Sequence, residues 1–137
     1  GCTVAMSRFR PKDDQNPTFL AELDVVLPNL NLPKSPDAVL LQKLRETAER
    51  QIQPAADQRF GPSKVTVTCS EVRPGSIELK IILSVVVAGV FAFAKDYDKI
   101  RANTLLLAAD IKRNCGKLSR AMKHVLGGAD NPFGPKK

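Results

Sequence analysis

His124 is the only histidine in the 137-residue chain, so a site built on several imidazoles cannot form. It stands just before Gly127-Gly128, where a helix is expected to stop. A cation in that last turn favours the helix dipole, and this is the role its position suggests. Asp96 and Asp98 flank Tyr97 where charge first returns after an uncharged run. That spacing marks a helix emerging into water rather than two carboxylates sharing one acid–base pocket. Cys2, Cys69 and Cys115 are too few and too dispersed for a disulfide framework or a zinc site. Cys69 and Cys115 are read as small core residues. No Ser or Cys has a base near it in sequence, and no glycine-rich loop opens a helix to cradle phosphate. The expectation is a chain that is not an enzyme and has no metal and no cofactor.

Charge is the more informative property. The net charge is +7, unevenly distributed. Residues 1–80 carry eleven Lys/Arg against ten Asp/Glu, and residues 95–137 carry ten against four. A basic C-terminal third suits an anionic partner. Lys112, Arg113, Lys117, Arg120 and Lys123 are the residues expected to face it. Interleaved with them is an apolar stripe at 3-4 spacing that includes Val86, Val90, Phe93, Tyr97, Leu107, Ile111, Leu118 and Met122. It predicts one long helix over residues 84–126, about 60 Å long at 1.5 Å per residue. The fourteen residues Ile81–Ala94 carry no charge. They must be buried in protein or lipid, although a full membrane span needs about 20 residues.

The preceding segments supply a scaffold. Residues 1–17 read as a flexible arm, with Gly1–Ala5 a non-native leader ahead of Met6. Thr18–Leu27 alternates apolar and polar residues as a half-buried strand does, and Pro28–Pro33 reads as a loop. Ser35-Pro36-Asp37 predicts a helix start, with Ser35 as the cap and Pro54 as the stop. Lys64–Val72 and Ser76–Leu83 alternate about a turn at Arg73–Ser76 and predict a hairpin. The expected fold is α+β, a small three-stranded antiparallel sheet with one packed helix in the order βαββα. Its divisions are the arm, an α+β domain at 18–83, the long helix, and a flexible basic tail at 127–137.

Thr18–Leu83 also resembles the SEA domain of mucin-like surface proteins. The likeness rests on a strand, a helix ending near Phe60-Gly61, and a hairpin with Gly75-Ser76 at its turn. The resemblance implies self-cleavage at Gly75-Ser76, with the Ser76 hydroxyl attacking the preceding carbonyl, and a membrane span beyond. Taken by itself, Pro74-Gly75-Ser76 is a turn chosen for its backbone geometry.

The predicted helix is longer than a small sheet can cover, since strands of eight residues extend only about 27 Å. Its surplus apolar surface therefore calls for an external partner. The reading is a membrane-associated or self-assembling component, a homo-oligomer or part of a larger complex. Its contacts would be Val86, Val90, Phe91, Phe93, Tyr97, Leu107, Ile111, Leu118 and Met122. If residues 81–94 span a bilayer, the basic segment places the C-terminus in the cytoplasm; otherwise the chain is expected to be cytoplasmic. The alternative is RNA binding through the basic helix face, on an α+β body without exposed aromatics for base stacking.

Overall fold

The computed structural model describes residues 1–11, 18–86 and 93–127, with no side-chain account at 93–95. Its strands are β1 (Thr3–Phe9), β2 (Phe19–Leu32), β3 (Val65–Arg73) and β4 (Gly75–Val85). Its helices are α1 (Ala38–Phe60), α2 (Phe93–Arg113) and α3 (Cys115–Gly127). The four strands form one antiparallel sheet in the order β1-β2-β4-β3. The α+β class is as expected, but the described residues form four strands and three helices instead of the predicted βαββα.

Alternation builds the core. Leu23, Val25 and Leu27 on β2, Val67 and Cys69 on β3, and Ile77 to Val85 at every second position on β4 are buried. All three helices cover that face: α1 against β3, α2 against β1 and α3 against β2. The opposite face is held by charge. Lys80 Nζ lies 3.0 Å from both Glu22 Oε2 and Asp24 Oδ1, and Arg8 Nε lies 3.3 Å from Glu22 Oε1.

The fourth strand comes from the segment read as an arm. Thr3–Phe9 pairs with β2, with a register shift between Met6 and Arg8. Val4, Met6 and Phe9 pack against the core, but at that shift both Ser7 and Arg8 stand between Met6 and Phe9 and break the period of two. β2 also runs through Pro28 to Leu32, where a loop was expected. Its register against β4 shifts between Leu27 and Asn31, so the missing Pro28 N–H falls in an irregular stretch. α1 likewise passes through Pro54. Ile52 and Ala56 are buried on either side of it, and Phe60 continues the stripe. Packing on these residues outweighs a proline penalty of about 3 kcal/mol. The cap is Asp37, not Ser35: its Oδ1 accepts the Val39 N–H at 2.7 Å.

α1 also closes the free edge of β3. Gln53 Nε2 donates to Val65 O at 2.8 Å, and Gln53 Oε1 accepts the Val67 N–H at 2.9 Å. Glu49 Oε2 accepts the Cys69 N–H at 2.8 Å. Side chains thus take up three backbone groups on a strand edge that would otherwise be open to another chain.

The largest correction concerns the long helix. The uncharged run from Ile81 is strand up to Val85, in the central strand β4. There Ile82 and Ser84 are half-buried on the charged face, so apolarity extends around both sides as it would in a buried helix. Helix begins at Phe93, departs from helical geometry at Asp96, and is interrupted at Asn114. Across that interruption the Asn114 N–H donates to Asp110 O at 3.0 Å and the Leu118 N–H to Asn114 O at 3.2 Å. The four-residue bonding pattern therefore continues on both sides of it. Ile100, Leu107, Ile111, Leu118, Met122 and Val125 are all buried in this chain. The body is longer than its predicted strands implied, because β2 has fourteen residues, about 45 Å when extended. Among the described residues, the stripe from Ile100 to Val125 is covered by the chain itself. Among the described residues no helix is long and apolar enough to cross a membrane.

Cys2 and Cys115, expected to be unpaired, form a disulfide with their Cα atoms 6.1 Å apart. The spacing in sequence concealed it, because 113 positions separate the two. It ties the start of β1 to the first turn of α3. At the other end of β1, Phe9 and Tyr97 meet edge to face, with ring centroids 5.2 Å apart. Cys69 is the buried core residue expected, and burial pushes its thiol up to about 11.

Candidate anionic-partner interface

The outward side of α2 and α3 is set by what their inward side must bury. With Leu107, Ile111, Leu118 and Met122 turned to the core, the helical repeat places Leu105, Ala109, Lys112, Gly116, Arg120 and Lys123 outward. All six are exposed. Leu106, Arg113, Lys117 and His124 form a second exposed line beside them. Leu105 and Leu106 are adjacent and 43% and 44% exposed, so they present apolar surface together. Arg101 lies one turn before Leu105 and is exposed too. The surface is therefore apolar toward α2 and cationic toward α3. Residues 111–127 carry five Lys/Arg and no Asp/Glu.

Its charges are largely uncommitted. Among the described residues, Lys112, Lys117, Arg120 and Lys123 take part in no ion pair, whereas Arg113 contacts Asp110. Asp110, 5% exposed, is held mainly by Arg59 from α1, whose Nε and Nη2 donate to its two oxygens at 2.6 and 2.9 Å. This two-pronged bond holds the Asp110 carboxyl below the usual carboxylate range despite its burial. It also locks α2 against α1 just before the cationic segment.

Between α1 and the α2–α3 junction lies a cleft of about 390 Å³. Ile52, Ile111 and Leu118 form its apolar floor; Arg50, Gln51, Gln58, Asn114 and Lys117 stand around it. Asp110 also lines it, with its charge met by Arg59 and Arg113. Arg50 donates to Thr47 Oγ1 at 3.3 Å and, among the described residues, has no acidic partner.

The structure divides the residues singled out in the sequence. Lys112, Arg113, Lys117, Arg120 and Lys123 are exposed together, on one side of α2–α3. Leu107, Ile111, Leu118 and Met122 are core residues and are not on the outward surface; Ile111 and Leu118 reach only the floor of the cleft. Tyr97 packs on Phe9, and Val86 is 49% exposed at the end of β4. Val90 and Phe91, the side chain of Phe93 and the tail from 128 onward lie outside the described residues. Leu105, Leu106 and Arg50 were not foreseen. Being off the inward stripe was the signal for the leucines; for Arg50 there was none, since only tertiary packing puts it in the same cleft lining as Lys117. Gly75 has a φ of +86°, which accounts for the glycine at that turn. Ser76 is exposed, and among the described residues its side chain makes no hydrogen bond.

No protein-family model matches the chain, and neither a curated protein nor a solved structure shows significant similarity to it.

Proposed function

We propose that the chain is a non-catalytic module that settles on an anionic lipid surface through the outward side of α2–α3. The observation that carries this reading is the exposed Leu105-Leu106 pair, continued by Lys112, Arg113, Lys117, Arg120 and Lys123. Apolar side chains that enter the headgroup region beside cations that pair with lipid phosphates are the two ingredients of interfacial binding. The helix lies along the bilayer surface in this reading and does not cross it. The leucine pair favours lipid over nucleic acid, because a phosphate backbone gives leucine nothing to bury against. The reading takes the compartment to be an oxidising one, which the Cys2–Cys115 bond supports.

Flotation with vesicles tests it. The protein is expected to float with phosphatidylglycerol-containing vesicles, not with pure phosphatidylcholine, and to dissociate as salt rises. With each cation near the surface worth about 1 kcal/mol, Lys112→Gln with Lys123→Gln should weaken binding at least tenfold. Leu105→Ser with Leu106→Ser should weaken it without changing the salt dependence. Binding to a single-stranded RNA with none to the vesicles would overturn the reading in favour of nucleic acid.

A further inference from the structure

The cleft between α1 and the α2–α3 junction is a second feature, which shares Lys117 with the leucine-bearing surface but contains neither leucine. Two cations from different helices border it, Arg50 and Lys117. Among the described residues neither has an acidic partner, and both are exposed. The one carboxylate in the lining, Asp110, is already matched by Arg59 and Arg113. The rim therefore carries two positive charges that nothing in the described chain balances. A monoanion would balance one of them; a dianionic tetrahedral group balances both, taking paired N–H donors from a guanidinium and a point charge from an ammonium. The Gln51 and Gln58 amides in the same lining offer neutral donors. A volume of about 390 Å³ exceeds what a bare phosphate needs and falls in the range of small-molecule sites. The floor of Ile52, Ile111 and Leu118 suits an organic body.

From this we propose that the cleft binds a phosphomonoester group, its phosphate between Arg50 and Lys117 and its organic part over the apolar floor. The same chemistry is offered by a soluble phosphorylated metabolite and by a monoester lipid headgroup. The inference does not require the bilayer reading, which rests on Leu105 and Leu106 outside the cleft.

The test is a titration of the full chain with inorganic phosphate at constant ionic strength, followed by amide chemical shifts. Saturable shifts are expected at residues 50–58 and 114–118. Arg50→Ala and Lys117→Ala should each weaken binding about tenfold or more, while Lys123→Ala, outside the cleft, should leave it unchanged. Vesicles of phosphatidic acid and of phosphatidylglycerol then separate the sources. Tighter, Arg50-dependent binding to phosphatidic acid assigns the headgroup; equal binding to both, with free phosphate still saturating the cleft, assigns a soluble ligand. Non-saturating shifts, shifts spread over every exposed cation, or a titration unaltered by Arg50→Ala would overturn the proposal. Failure of the parent chain to bind phosphatidylglycerol vesicles, with the phosphate titration intact, would overturn only the bilayer reading.

Discussion

Replacing Asp110 by asparagine keeps the size of the side chain and removes its charge, which isolates what the carboxylate contributes. Arg59 and Arg113 would then face a neutral amide, and α2 would lose its charged anchor on α1. Because the folded protein holds the Asp110 carboxyl below its ordinary range, its stabilisation is fully present above the unfolded value of about 3.9. It disappears as pH falls from there through the depressed folded value. Thermal unfolding should therefore show Asp110→Asn melting on the order of 5 °C below the parent at pH 7. The gap should be unchanged at pH 6 and should narrow below about pH 4. An equal gap at pH 7 and pH 3 would mean that the carboxylate acts through shape and not through charge. At this scale the sequence was a partial guide. Lys112, Lys117, Arg120 and Lys123 were legible as an outward set because local periodicity fixes them. Arg59 and Asp110, 51 positions apart, meet only through tertiary packing.

The elements divide in the same way. β3 and β4 were legible because alternation and a Pro-Gly turn are local signals. The fate of Ile81–Val85 was not, since a central strand with Ile82 on its second face and a buried helix have the same composition. Pro54 and Pro28 misled for a related reason. Proline reports the cost of continuing an element, not the burial of Ile52 and Ala56 that outweighs it. β1 escaped notice because it is short and edge-bound, and it is fastened at its start by Cys2. In the chain-entropy view a bond closing a loop of about 100 residues stabilises by about 4–5 kcal/mol. Reduction, or Cys2→Ser with Cys115→Ser, should accordingly lower Tm by on the order of 15 °C. Alkylation of the native, unreduced protein should label none of the three cysteines, Cys69 being protected by burial. Alkylation after unfolding without reductant should label Cys69 alone. Native labelling of Cys2 and Cys115 would show that the staple is absent.

For the molecule as a whole, the folding back of α2–α3 changes what a partner could touch. From Ile100 to Val125 the stripe that called for an external partner is buried against the sheet and α1, and Leu107, with no exposed surface, belongs to the interior. Leu107→Ala should cost about 2–5 kcal/mol of stability and leave the vesicle affinity of the folded protein unchanged. A partner meets instead the Leu105-Leu106 pair, the cations beyond it and the cleft beside them. The chain contains no tryptophan, so one introduced indole reports its surroundings without background. The decisive measurement is the emission of Leu106→Trp on addition of phosphatidylglycerol vesicles, with Thr66→Trp on the opposite sheet face as reference. The account predicts a blue shift and quenching by brominated acyl chains for Leu106→Trp alone, reversed by salt. Unchanged emission at position 106, or an equal response at position 66, would contradict it.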